Sequence, residues 1–148
     1  MCAPKQLALR CSVKVSANSK PVDLSTPETA AMLLRVYFRI AAAWGLTTEQ
    51  EMRLLGASKS LFYKWKSGQV SSGLSPSTLE RLSYVSRIYA ALQILLPIPE
   101  RANAWVKAAN TAPIFGGASA LKRMEGGQVG DLMVVADYLD ANRGGDFS

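Results

Sequence analysis

The chain has 148 residues, 49% of them hydrophobic and 19% charged, with 17 Lys and Arg against 11 Asp and Glu for a net charge of +6. That balance supports a packed core and excludes general disorder, and the length suits one compact domain or two small helical units sharing a core. No apolar run reaches the roughly 18 residues of a membrane span, and no compact apolar segment ends in a small-residue cleavage site, so a soluble, cytoplasmic protein is expected.

There is no histidine, and Cys2 and Cys11 are the only cysteines. Two thiolates without imidazole cannot complete a four-ligand zinc site, and they read as incidental reduced thiols. The missing histidine also removes the usual general base and the Ser-His and Cys-His nucleophile pairs. With no paired-carboxylate motif or phosphate-cradling glycine loop, the chain reads as a non-enzyme with no catalytic residues, no metal and no cofactor. Charge is unevenly placed. Residues 1–75 hold ten basic and four acidic residues, whereas residues 76–148 hold seven of each, so the whole net charge lies on the first half. Basic density of this kind draws phosphate by counterion release, although a solvated face has the same composition.

In chain order, residues 1–25 mix Ser, Lys and Pro and read as a poorly ordered arm. Thr26-Pro27-Glu28 then marks a helix start, with Thr26 as N-cap and Pro27 in the first turn. Leu34, Tyr37, Ala41 and Trp44 recur at spacings of three and four, and Gly45 stops the helix. Thr47 with Gln50 three residues on is a capping box. The helix it opens carries Met52, Leu54 and Leu55 and ends at Gly56. Ser58 caps another helix, running to Ser67-Gly68.

Two short helices joined by a turn of about three residues are the helix-turn-helix arrangement. Gly56 falls where the chain must swing, Leu55 and Ala57 wedge the two helices, and Phe62 and Trp65 lock the second one down. Ser58, Lys59, Ser60, Tyr63 and Lys64 are left facing outward, where a recognition helix contacts groove and backbone, with Lys66 leaning toward phosphate or solvent. Glu51 occupies a position where an apolar residue is usual, which leaves room for a slip of one residue in the register.

After a Ser- and Gly-rich loop, Ser75 and Pro76 open a long helix. Leu82, Val85, Tyr89, Leu92 and Leu96 form one stripe, and Tyr84, Ile88, Ala91 and Leu95 a second beside it. So wide an apolar face must be covered on more than one side, as a central strut, half of a dimer interface, or both. Arg81 and Arg87 mark its wetter side, and Pro97 and Pro99 end it. A short helix follows through Trp105 and Val106, then an irregular segment from Asn110 to Gly117, a short helix near Ser119 to Glu125, and a last helix from Val129 to Asn142. In that helix Leu132, Val135 and Leu139 point inward while Asp131, Asp137 and Asp140 lie elsewhere on its surface. Asn110, Phe115, Gly116 and Gly117 also fit a capped turn with a hydrophobic plug, and Gly144 and Gly145 a frayed helix end.

From Leu46 to Gly145 the order of features resembles antitoxins of the Xre/MbcA/ParS family. The likeness is carried by Trp65-Lys66-Ser67-Gly68, Ser75-Pro76, Leu79-Glu80-Arg81, Trp105, Asn110, Phe115-Gly116-Gly117, Ser119-Ala120-Leu121, Met124, Gly127, Tyr138-Leu139-Asp140-Ala141 and Arg143-Gly144-Gly145. The stretch Ala109 to Pro113 departs from the family's usual Pro-Asn and shorter path to the phenylalanine. The resemblance implies an all-α protein: an arm (1–25), a helix-turn-helix DNA-binding domain (26–74), a long central or dimerisation helix (75–97) and a toxin-binding domain (98–148).

It further implies a cognate RES-domain toxin that depletes NAD, whose active-site cleft is blocked by the antitoxin's C-terminal region, and an operator bound by a homodimer or larger assembly. By position Arg143, Gly144 and Gly145 would lie nearest that cleft, supported by Tyr138 and Asp140. Glycines let backbone approach closely and a guanidinium suits a site for dinucleotide phosphates. The alternative is a helix-turn-helix transcriptional regulator without a toxin partner.

Overall fold

The hydroxyls that the sequence marks as helix caps all act as caps in the computed structural model, which describes residues 21–143. Helix α1 (Pro27–Trp44) begins with Thr26 accepting from the Thr29 amide and ends at Gly45 in the left-handed region, φ 65°. Thr47 and Gln50 form the reciprocal box that opens α2 (Thr48–Leu55). Ser58 caps α3 (Lys59–Lys66), and Ser75 caps the twenty-residue α4 (Pro76–Leu95). Helices α5 (Pro99–Trp105), α6 (Ala120–Met124) and α7 (Val129–Asn142) complete the described chain. Each side-chain cap stabilises its helix by about 1 kcal/mol, which matters most for α2 and α3, only eight residues each and too short to persist alone. Pro99, expected only as a breaker, takes the first position of α5, where its missing N–H costs nothing.

Helix α4 is the strut. It packs most extensively against α7 and also against α1, α2 and α5. Both of its apolar stripes are covered: Val85, Ile88, Ala91 and Leu92 are almost wholly buried, and Tyr84, Tyr89, Leu95 and Leu96 pack partly buried around them. The same core takes in Leu34, Tyr37 and Trp44 from α1, Leu54 and Leu55 from α2, Phe62 from α3, and Leu132, Val135 and Leu139 from α7. All three of those α7 residues are at 0% exposure, as their spacing requires. Because α1 and α7 cover α4 from different sides, the two halves of the chain share one core.

The expectation for Arg81 needs correcting, whereas Arg87 lies on the exposed side as expected. Arg81 is not on a wet face: its guanidinium is half-buried and donates to the carbonyls of Arg53, Leu54 and Gly127. Arg87 is exposed, but it reaches the carboxylates of Asp137 and Asp140 on α7. Of the expected arm, residues 1–20, with Cys2 and Cys11, lie outside the described residues. Asp23 and Ser25 form a small turn in which the Ser25 amide and hydroxyl both donate to the Asp23 carboxylate. That pairing holds the Asp23 carboxyl below its usual range.

Candidate functional site

Helices α2 and α3 meet across Gly56, whose φ of 69° places it in the region that favours glycine. Leu54, Leu55 and Phe62 seal the angle between the helices, with Ala57 and Trp65 partly buried beside them. Helix α1 is tied to the pair by the Tyr37 hydroxyl, which donates to the Glu51 carbonyl at 2.6 Å. Burial pushes the Tyr37 hydroxyl pKa upward, Glu51 adds to the shift and Arg81 opposes it, so the donor keeps its proton.

Glu51 does not displace the register. The residue is only 7% exposed and its carboxylate takes the Lys66 ammonium at 2.7 Å, so the motif carries a cation from α3 to match the anion in α2. Lys66 also lies over the Phe38 ring, 4.7 Å from its centroid. Lys66 is therefore turned back onto the motif rather than extended from it. With Lys66 partly exposed the pair itself adds little, but a buried Glu51 left unpaired would cost on the order of 1–3 kcal/mol.

The outward face of α3 is open. Ser58, Lys59, Ser60, Tyr63 and Lys64 are all exposed, Tyr63 by half. Lys59 and Lys64 make no ion pair among the described residues. The Ser58 oxygen is already used in accepting from the Leu61 amide, which leaves its O–H as a donor. Two free cations, two hydroxyls and a phenol on one side of a short helix can contact phosphates and the edges of bases.

At the other end of the molecule Trp105, Phe115 and Tyr138 form one aromatic cluster. Trp105 and Tyr138 stack with centroids 6.3 Å apart, and Phe115 meets both edge-on at 5.8 and 5.2 Å. The segment that delivers Phe115 is a closed turn. Asn110 donates its amide to Ala118, accepts from Gly117 through its carbonyl, and accepts from Ala112 through its side chain. Gly116 and Gly117, φ 58° and 89°, complete the reversal. The unusual Ala109 to Pro113 path is thus accommodated, and Phe115 is the hydrophobic plug, 5% exposed.

Of the residues expected to meet a toxin, two fall in the last turns of α7 and a third caps it, and the three are placed differently. Tyr138 is half-buried in the aromatic cluster. Asp140 faces α4 and holds Arg87, whose pKa is raised first by this hydrogen bond. Arg143 is exposed at the helix end, its amide donating to Asp140. Gly144 and Gly145 lie outside the described residues. Arg81, Arg87 and Lys107 were not singled out as site residues, and no periodicity marks them.

A helix-turn-helix motif with an open reading face, joined through a shared strut to a small helical unit, defines the class of helix-turn-helix DNA-binding proteins. The Xre-like helix-turn-helix domain of antitoxins matches residues 23–87, and the C-terminal toxin-binding domain of Xre/MbcA/ParS antitoxins matches residues 91–145. The uncharacterized protein y4oB of Sinorhizobium fredii is 41% identical over 132 residues, which cover 86% of this chain and 99% of that relative. The chain belongs to the Xre/MbcA/ParS family of type II antitoxins. No helix among the described residues is long and apolar enough to cross a membrane, and none of their His, Cys, Asp and Glu residues group to hold a metal.

Proposed function

We propose that this antitoxin neutralises a RES-domain toxin that depletes NAD, blocking its active-site cleft with the segment that follows α7, and represses its own operon through the outward face of α3. The observation that carries the reading is the match of the toxin-binding domain through Gly145, beyond the end of α7, where Arg143 stands exposed. Arg143, Gly144 and Gly145 enter the cleft: the guanidinium takes the place of a counter-charge for dinucleotide phosphates, and the glycines admit close backbone approach. Tyr138 and Asp140 support this plug through the aromatic cluster and the Arg87 pair rather than by direct contact. The antitoxin binds no NAD and supplies no catalytic group.

On DNA, Lys59 and Lys64 neutralise phosphates, and Ser58, Ser60 and Tyr63 reach base edges. Lys66 acts indirectly by neutralising Glu51. The assembly is a homodimer or larger, since a helix-turn-helix protein reads two half-sites with two copies, and it works in the cytoplasm. The functional division runs at 26–74 for DNA and 98–148 for toxin, with 75–97 serving both.

The test is growth and cellular NAD in bacteria expressing the neighbouring reading frame with and without this chain. Collapse of NAD by the neighbour alone, restored by co-expression, is the expected result. A harmless neighbour, or harm indifferent to this chain, would favour a DNA-binding regulator without a toxin partner.

A further inference from the structure

Helix α2 seats the recognition helix, yet it is two turns long and flanked on both sides by glycines with positive φ, Gly45 and Gly56. Its capping box and its Glu49–Arg53 pair are not enough to hold so short a helix alone. Besides its packing on the core and the Tyr37 bond, two cations from outside the motif reach its C-terminal end and the turn before it. At the C-terminal end, Arg81 of α4 donates through Nη1 to the carbonyls of Arg53 and Leu54, at 3.3 and 3.4 Å. These are among the orphan carbonyls of the last turn, at the negative pole of the helix. The other arm of the same guanidinium, Nη2, donates to the Gly127 carbonyl at 2.6 Å, in the corner between α6 and α7. In the turn that leads into α2, the Lys107 ammonium donates at 2.6 Å to the carbonyl of Gly45, the C-cap of α1.

Both anchors are firm. The α6–α7 corner is fixed by Asp131, which accepts from the Gln128 amide at 3.2 Å and pairs with Arg123 at 3.3 Å. Lys107 follows Val106, fully buried, whose carbonyl accepts from the Leu121 amide at 2.8 Å. The fit against the motif is also tight. A Cβ on Gly56 would lie 2.6 Å from Arg81 Nε and 2.8 Å from its Cζ, so a side chain there would push the guanidinium from its place, and the φ of 69° favours glycine independently. Among the described residues, the side-chain hydrogen bonds that reach the 26–74 segment from residues 75–143 come from these two cations.

We infer that Arg81 and Lys107 are positioning residues for DNA reading: Arg81, from the central strut, holds the end of α2, Lys107, from the toxin-binding domain, holds the turn that leads into it, and together they set how α3 is presented to the groove. Neither residue belongs to the outward face of α3. Arg81 acts on the reading helix through α2, and its second arm makes the Gly127 corner of the toxin-binding domain part of the same support. This deepens, and rests on, the reading of α3 as the DNA-contacting helix.

The experiment uses the full chain with Arg81→Met, Arg81→Lys and Lys107→Met, a DNA fragment from upstream of the operon titrated at several salt concentrations, and amide hydrogen exchange on the same proteins without DNA. Arg81→Met is expected to weaken operator binding about tenfold, on the scale of site-to-site coupling, with an unchanged slope of log affinity against log salt because no phosphate contact is lost. Arg81→Lys, able to reach fewer carbonyls at once, gives an intermediate loss. Exchange of the α2 amides accelerates in Arg81→Met while the centre of α7 stays protected, which separates loosening of the motif from unfolding.

Unchanged α2 exchange would overturn the inference whatever the DNA result. So would wild-type affinity in Arg81→Met, or a salt slope reduced by about one, which marks Arg81 as a phosphate contact instead. If the wild-type protein fails to bind the fragment at all, the DNA-reading role falls while the exchange data still decide whether Arg81 and Lys107 hold α2.

Discussion

The outward face of α3 and the last turns of α7 assign their functional side chains in opposite ways. On α3 the five candidate residues are exposed together and the ion-paired lysine, Lys66, is the one turned back. Of the candidates at the end of the chain, Tyr138 is engaged in an aromatic stack and Asp140 with Arg87, while Arg143, just after α7, is the open one among those described. A groove is read by side chains that extend from a helix, so a DNA face must be left unpaired. On the proposed reading the chain after α7 is a plug for a cleft, which has to be held in one direction, and the inward contacts of Tyr138 and Asp140 would supply that hold.

The largest effect that separates the two regions is truncation after Asn142. It should abolish neutralisation, read as growth and NAD in cells carrying the toxin, while mobility-shift titration shows operator binding retained. A truncated protein that protects fully would move the toxin contact off the segment after α7. Next comes Phe115→Ala, which removes the centre of the aromatic cluster. Thermal or denaturant unfolding should show a loss of about 3 kcal/mol, the cost of truncating a buried aromatic, and wild-type stability would deny the cluster its role as the support of Tyr138.

Lys64→Glu sharpens the other side of the comparison. It should weaken operator binding by roughly tenfold or more and reduce the salt slope, since one phosphate contact is lost and a repulsion gained, while neutralisation is untouched. The smallest expected change is Arg87→Ala. The Arg87–Asp140 pair is exposed enough that its loss should alter stability by at most about 1 kcal/mol. A much larger drop in unfolding free energy would mean that the pair does more than orient the end of α7.

What the sequence made legible follows the range of each interaction. Thr26, Thr47 with Gln50, Ser58 and Ser75 act within three residues of themselves, and each sits where its pattern placed it. The bounds of α7 and the inward set Leu132, Val135 and Leu139 follow from period alone. The five-residue outward face of α3 is legible for the same reason, because exposure on a short amphipathic helix is a local property. The supporting contacts are another matter. Glu51 and Lys66 are 15 residues apart, Arg81 reaches 28 residues back and 46 forward, and Arg87 meets Asp140 across 53. None of these has a spacing signature, since each exists only after α4 has been sandwiched. Glu51 therefore read as a misfit and Arg81 as a wet residue, when one is neutralised and the other spans two halves. The direction of Asp140 was hidden likewise: its place on α7 was clear, but not that α4 would supply a cation to it.

The most direct test of the account is a hydrogen-exchange footprint of the full chain, taken once with operator DNA and once with the purified product of the neighbouring reading frame. DNA should protect residues 58–66 most strongly, and the toxin should protect the chain from Tyr138 onward. Toxin protection confined to the α3 face, or one segment protected equally by both partners, would contradict the division of the molecule into a reading end and a neutralising end.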